Sequence, residues 1–134
     1  MNDQSRYIHF VSRVTIASLF FCAFIGKATA YGLMVNLSTQ AGIPLAVYLM
    51  PVVMALELGG GLLLLLNRYV WAVSLALCAY LIIVTPFFHF DWSEAAGGFR
   101  QVVDVFKNLA IIGGLLALYN MDASRPGFLK KARL

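Results

Sequence analysis

The chain has 134 residues, of which 61% are hydrophobic and 12% charged, with a net charge of +4. That balance excludes an ordinary soluble domain and marks a membrane protein. The positive charge does not point to nucleic acid, because the basic residues gather in loops and tails where membrane insertion alone demands them.

A helix crosses about 30 Å of hydrocarbon with about 20 mostly apolar residues. Four stretches qualify, at about residues 14–35, 44–66, 69–88 and 102–119. Arg6 and Arg13 precede the first span, and Lys27 lies inside it. The arginines, the apolar residues after them and Ala28-Thr29-Ala30 resemble a secretory signal with an A-x-A cleavage site. The apolar run nevertheless continues to Val35, and Lys27 stands close before that cut, so a retained first helix is expected. Ser18, Cys22, Gly26 and Ala30 recur every four residues and predict a seam where a second helix approaches closely.

Asn36 to Gly42 reads as a short polar loop, and Pro44 suits the first turn of the second span. Pro51 predicts a kink there and frees the carbonyl of Val47, which another helix or water must then satisfy. Met50 and Met54 precede Glu57 by one and two turns, as adaptable filler or as an apolar wall for a ring. Gly59-Gly60-Gly61 follows, reading chiefly as a packing surface.

Asn67-Arg68 forms a tight turn into the third span, which carries Cys78 and, beyond Pro86, His89. Cys22 and Cys78 have neither redox nor zinc spacing, and buried apolar filling is their default role. Their similar depths admit a disulfide only if the first and third spans face each other there. The fourth span brings Arg100, Asp104, Lys107 and Asn108 onto one face by spacings of three and four. A basic tail covers residues 121–134.

Arg6, Arg13, Arg68 and the basic tail all fall on one side of this arrangement, and retained positive segments mark the cytoplasmic side. The fold expected is therefore all-α, a single integral membrane domain built as an antiparallel four-helix bundle with both termini cytoplasmic. Tyr69, Trp71 and Tyr119 would mark the inner interface, and Phe87, Phe88, Phe90, Trp92 and Phe99 the outer one.

A charge at the bilayer centre costs about 2.5–3.5 kcal/mol on insertion scales, so such residues face the bundle interior and pair. Lys27 and Glu57 are the deepest, with Lys107 and His89 nearer the outer face. Lys27, Glu57, His89, Asp104, Lys107 and Asn108 are the candidate ligand-binding residues, lining a polar pocket that opens outward. Two ammonium groups would hold an oxygen-rich headgroup or a small anion, while Glu57 or His89, the catalytic candidates, exchange protons. The competing reading has Lys27 snorkelling to the interface and Glu57 paired only to fix helix register. His89, Asp91 and Glu94 are too loosely arranged to predict a metal site. No phosphate loop, nucleophile elbow, haem-attachment motif or internal repeat is evident.

Arg13 opening the first span, Gly26-Lys27 within it, Pro44, Glu57 with Gly60, Arg68, His89, and Lys107-Asn108 followed by Gly113-Gly114 come in an order that resembles the DoxX family. These are small four-helix proteins of the bacterial cell inner (cytoplasmic) membrane. The resemblance covers about residues 10 to 120 and departs from the family at the short Asn67-Arg68 turn, where relatives often carry glycine and threonine. It implies a multi-pass inner-membrane location and a redox association: the family takes its name from a subunit of an archaeal thiosulfate:quinone oxidoreductase, and other members are linked to quinone, catechol or thiol redox chemistry. It carries no catalytic assignment.

The expected function is a redox-associated membrane protein whose pocket takes a quinone-like or small anionic compound. No cofactor motif is evident; a quinone is the candidate cofactor, and electrons would come from it or from a redox partner protein. The alternative is a non-enzymatic accessory or scaffold subunit whose buried charges fix the bundle or a homo-oligomer. A small-solute carrier fits less well without broken-helix repeats. The lipid bilayer is the expected surrounding in each case.

Overall fold

A computed structural model describes residues 3–89 and 98–123. The elements in chain order are α1 (Asp3–Thr29), α2 (Tyr31–Gln40), α3 (Ala46–Leu65), α4 (Val70–His89) and α5 (Phe99–Ala123). Four of them, α1, α3, α4 and α5, are long and apolar enough to span a membrane. They form an all-α bundle in which α1 packs on α3, α3 on α4, α4 on α5 and α5 back on α1. Neighbours run antiparallel: Arg13 meets Leu64, Cys78 meets Ile112, and Trp71 meets Asp122.

The first span differs from the hydropathic expectation at both ends. Its helix begins at Asp3 rather than Val14, breaks at Ala30, and resumes as α2 through residues expected to form a loop. Polar side chains make both extensions possible. Arg13, 6% exposed, donates from one guanidinium nitrogen to the carbonyls of Leu64 and Leu65 at 2.9 and 3.3 Å. A cation there satisfies the last-turn carbonyls of α3 and complements its dipole. In α2 the hydroxyls of Ser38 and Thr39 donate to the carbonyls of Met34 and Val35, so these residues need no loop to satisfy their polar groups.

The stop signals themselves hold. Gly42, at φ 84°, ends α2 with amide bonds from Gly42 to Thr39 and from Ile43 to Ser38. Asn67, at φ 56°, ends α3 in the same way, with Asn67 bonded to Leu64 and Arg68 to Leu63. Both are Schellman motifs, which need a left-handed residue just past the helix and favour glycine or asparagine there.

The core occupies the half of the bundle that holds Arg13 and Asn67. Ala17, Phe20, Leu64, Leu77, Leu115 and Leu118 are packed there. The small-residue seam predicted on the first span is not part of it: Ser18, Cys22 and Gly26 are exposed, whereas Ala17 and Phe20 are buried. The large Phe20 ring fills the space that a close helix approach would have required. Close contact occurs instead at Gly60, Gly61 and Gly114, where an added Cβ would come within 3.1 to 3.4 Å of Leu77, Phe21 and Ala17, and Ile16 respectively. Cys22 and Cys78 are both free thiols.

Candidate functional site

Above the core, the other half of the bundle holds a cavity of about 810 Å³. Phe20 and Leu81 floor it, Met50, Val53 and Ile111 contribute apolar walls, and Ser38 of α2 and Pro44 extend over it. Most of its lining is apolar, so the polar groups that reach it stand out.

Five of the six residues singled out from the sequence line this cavity: Lys27, Glu57, His89, Lys107 and Asn108. Lys27 comes from the last turn of α1 and Glu57 from the middle of α3, two helices whose antiparallel packing brings these positions level. The Lys27 ammonium donates to Glu57 Oε1 at 2.7 Å. Glu57 is 1% exposed, while the Lys27 side chain retains 20% exposure. A buried carboxylate of this kind is tolerable only when a countercharge and hydrogen bonds replace its lost hydration.

The second replacement is a residue that the sequence reading missed. Tyr80 of α4 donates its hydroxyl to the same oxygen, Glu57 Oε1, at 2.8 Å. Three helices therefore converge on one carboxylate oxygen. The other, Oε2, is buried and has no hydrogen-bond partner among the described residues. Tyr80 was detectable in principle: a phenol hydroxyl within an apolar run needs a partner when buried.

Asp104, Lys107 and Asn108 of α5 and His89 of α4 form a second polar group. Lys107 bonds Asp104 Oδ1 at 2.5 Å, and His89 Nδ1 lies 4.0 Å from Asp104 Oδ2. Asp104 does not line the cavity; it holds Lys107, whose side chain is 54% exposed. Asn108 is buried and donates to Thr85 Oγ1 at 3.0 Å, and Thr85 donates to the Leu81 carbonyl at 2.6 Å. This chain of bonds fastens α5 to α4 beside the cavity. Asp91 and Glu94 lie outside the described residues.

The two groups differ in what they leave available. Lys107 and Asp104 largely neutralise each other at an exposed position. The Lys27–Glu57 pair, by contrast, stands on the wall of an apolar cavity with spare ammonium donors and a buried carboxylate oxygen that has no hydrogen-bond partner among the described residues. Such an arrangement can bind a molecule with an apolar body and a polar end.

These features define a class: a four-span helical membrane protein with a buried ion pair on the wall of an apolar cavity. Residues 8–90 match the model of the DoxX family. The chain is also 30% identical over 108 residues, 81% of its length and 78% of the relative's, to "Inner membrane protein YqjF" of Escherichia coli (strain K12). The chain belongs to the DoxX family and is a multi-pass protein of the inner membrane. No solved structure matches it.

Proposed function

We propose that this DoxX-family protein is a redox-associated binding protein whose cavity receives a quinone-like or small anionic compound. The observation that carries this reading is the polar end of the cavity: Lys27, Glu57 and Tyr80 meet on the wall of an otherwise apolar space large enough for a substituted ring. Lys27 would hold the ligand's oxygen, and Glu57 would exchange protons with it; His89 and Lys107 would act nearer the rim. With the termini on the cytoplasmic side, as the basic residues indicate, the cavity half of the bundle lies toward the outer leaflet.

Purification with native lipids, followed by mass spectrometry of co-purifying small molecules, tests the proposal. A quinone-like or anionic compound present in the wild type and absent from both Lys27→Met and Glu57→Gln supports it. The same compound retained in both variants rejects a role for the pair.

A second reading, a scaffold subunit, is favoured by the directness of the pair. At 2.7 Å, Lys27 and Glu57 already join α1 to α3 with nothing between them. It predicts folded variants with weakened assembly and no ligand in any form of the protein.

A further inference from the structure

The donors and acceptors at the polar end of the cavity are unevenly used, and the imbalance specifies the ligand more narrowly. Glu57 Oε1 accepts from both Lys27 and Tyr80, at 2.7 and 2.8 Å. Glu57 Oε2 accepts from nothing described, although Glu57 is only 1% exposed and lines the cavity. An ionised carboxylate oxygen can only accept hydrogen bonds, and burying one without a donor is costly. The missing partner must therefore be a donor. Tyr80 cannot supply it, because its single hydroxyl hydrogen is committed to Oε1.

We propose, resting on the reading that the cavity binds a ligand at all, that it selects a neutral compound bearing a hydroxyl group, of the phenol or quinol type. Oε2 is itself buried, so the carboxylate turns toward the cavity to accept from the hydroxyl, whose own oxygen accepts from a remaining Lys27 ammonium hydrogen. A fully oxidised quinone has acceptors only, so it can meet Lys27 but leaves Oε2 unserved. A small anion is worse placed: its oxygens also only accept, and Lys27 is already neutralised by Glu57. The apolar walls formed by Met50, Val53 and Ile111 suit the remainder of a ring or chain. No covalent or redox step is required for this selectivity, since it is a property of binding alone.

The test uses the full chain in lipid nanodiscs under reducing, anaerobic conditions and four probes with the same alkyl tail: decyl-hydroquinone, decyl-quinone, the dimethyl ether of the hydroquinone, and decyl sulfate. Dissociation constants are measured by equilibrium dialysis against empty nanodiscs. The hydroquinone is expected to bind roughly tenfold or more tightly than the other three, the discrimination expected for a hydrogen bond to a charged, buried partner. In Glu57→Gln the preference over the quinone should shrink to within about twofold, because the side-chain amide supplies donors as well as an acceptor. Met50→Trp, which fills the cavity, should abolish specific binding of the hydroquinone.

Equal binding of the hydroquinone and its dimethyl ether by the native protein overturns the inference, and would mean that water rather than a ligand serves Oε2. Tighter binding of the quinone or of decyl sulfate overturns the inference while leaving a ligand-binding cavity. Failure of all four probes to bind overturns both. Hydroquinone binding that survives Met50→Trp places the probe elsewhere and also overturns the inference. The wild-type comparison decides the matter even if Glu57→Gln does not fold.

Discussion

The phenol of Tyr31 donates to the carbonyl of Val47 at 3.3 Å. That carbonyl is the acceptor whose helical partner Pro51 removes, so a residue of α2 completes the hydrogen bonding of α3. The bond also ties α2 to the first turn of α3, beside the cavity. Tyr31→Phe should therefore destabilise the protein by about 1 kcal/mol. In the Pro51→Ala background, where the amide of residue 51 can reach Val47 itself, Tyr31→Phe should have almost no further effect. A double-mutant cycle on thermal unfolding in detergent measures the coupling, and additive effects would reject this role for Tyr31.

The Tyr31–Val47 bond also shows where the sequence stopped being informative. Pro51 announced an orphaned carbonyl, but nothing local indicated which side chain would reach it. The four spans were legible because membrane crossing demands long apolar runs, and the stops at Gly42 and Asn67 because left-handed helix ends favour those residues. The break at Ala30 was not legible, since no proline or change in hydropathy marks it. The stretch before Val14 carries Arg13, whose carbonyl partner on Leu64 lies some fifty residues away in sequence, so no local signal showed that this polar segment would be helical. Lys27 and Glu57 stood out as charges in apolar runs. Tyr80 did not, because a tyrosine inside an apolar span is compositionally ordinary until its hydroxyl is asked for a partner.

Removing the partners of the central pair one at a time should have unequal effects. Lys27→Met strands a carboxylate that is 1% exposed, with Tyr80 its one remaining donor among the described residues. That loss should cost about 3–5 kcal/mol, the range for breaking a buried pair. Glu57→Gln instead leaves an ammonium on a flexible side chain that already retains 20% exposure, and a carbonyl that Tyr80 can still bond. Its cost should be smaller, on the order of 1 kcal/mol, because the lysine can extend toward the interface. The double variant Lys27→Met with Glu57→Gln should recover most of the stability lost in Lys27→Met alone. Thermal unfolding midpoints of the three proteins in one detergent check the order, and a Glu57→Gln protein less stable than Lys27→Met would contradict it.

The glycines divide into two groups that substitution should separate. A Cβ at Gly61 would lie 3.3 Å from the Phe21 ring and 3.4 Å from the backbone oxygen of Ala17, which cannot easily withdraw. Gly61→Val should cost about 1–3 kcal/mol through overpacking of α1 against α3. A Cβ at Gly113 would meet no neighbouring heavy atom of the described residues within 4 Å. Gly113→Ala should be neutral or stabilise by up to about 1 kcal/mol by restricting the unfolded chain. Comparable losses in both variants would show that the outward face of α5 is also packed.

The two thiols offer a direct probe of the division between packed core and open cavity. Cys78 is 5% exposed, with its sulfur 3.8 Å from the Ile112 carbonyl in the contact between α4 and α5. Cys22 is exposed and lines the cavity. N-ethylmaleimide should therefore add to Cys22 in the native protein and reach Cys78 only after denaturation, since a buried thiol in apolar surroundings is inert. Intact mass should show a single adduct before unfolding and a second one after it. A molecule occupying the cavity should slow the first addition without altering the second. Native labelling of Cys78 at a comparable rate would mean that α4 and α5 separate on the labelling timescale, and the fastening of Asn108 to Thr85 would then be too weak to hold that wall of the cavity closed.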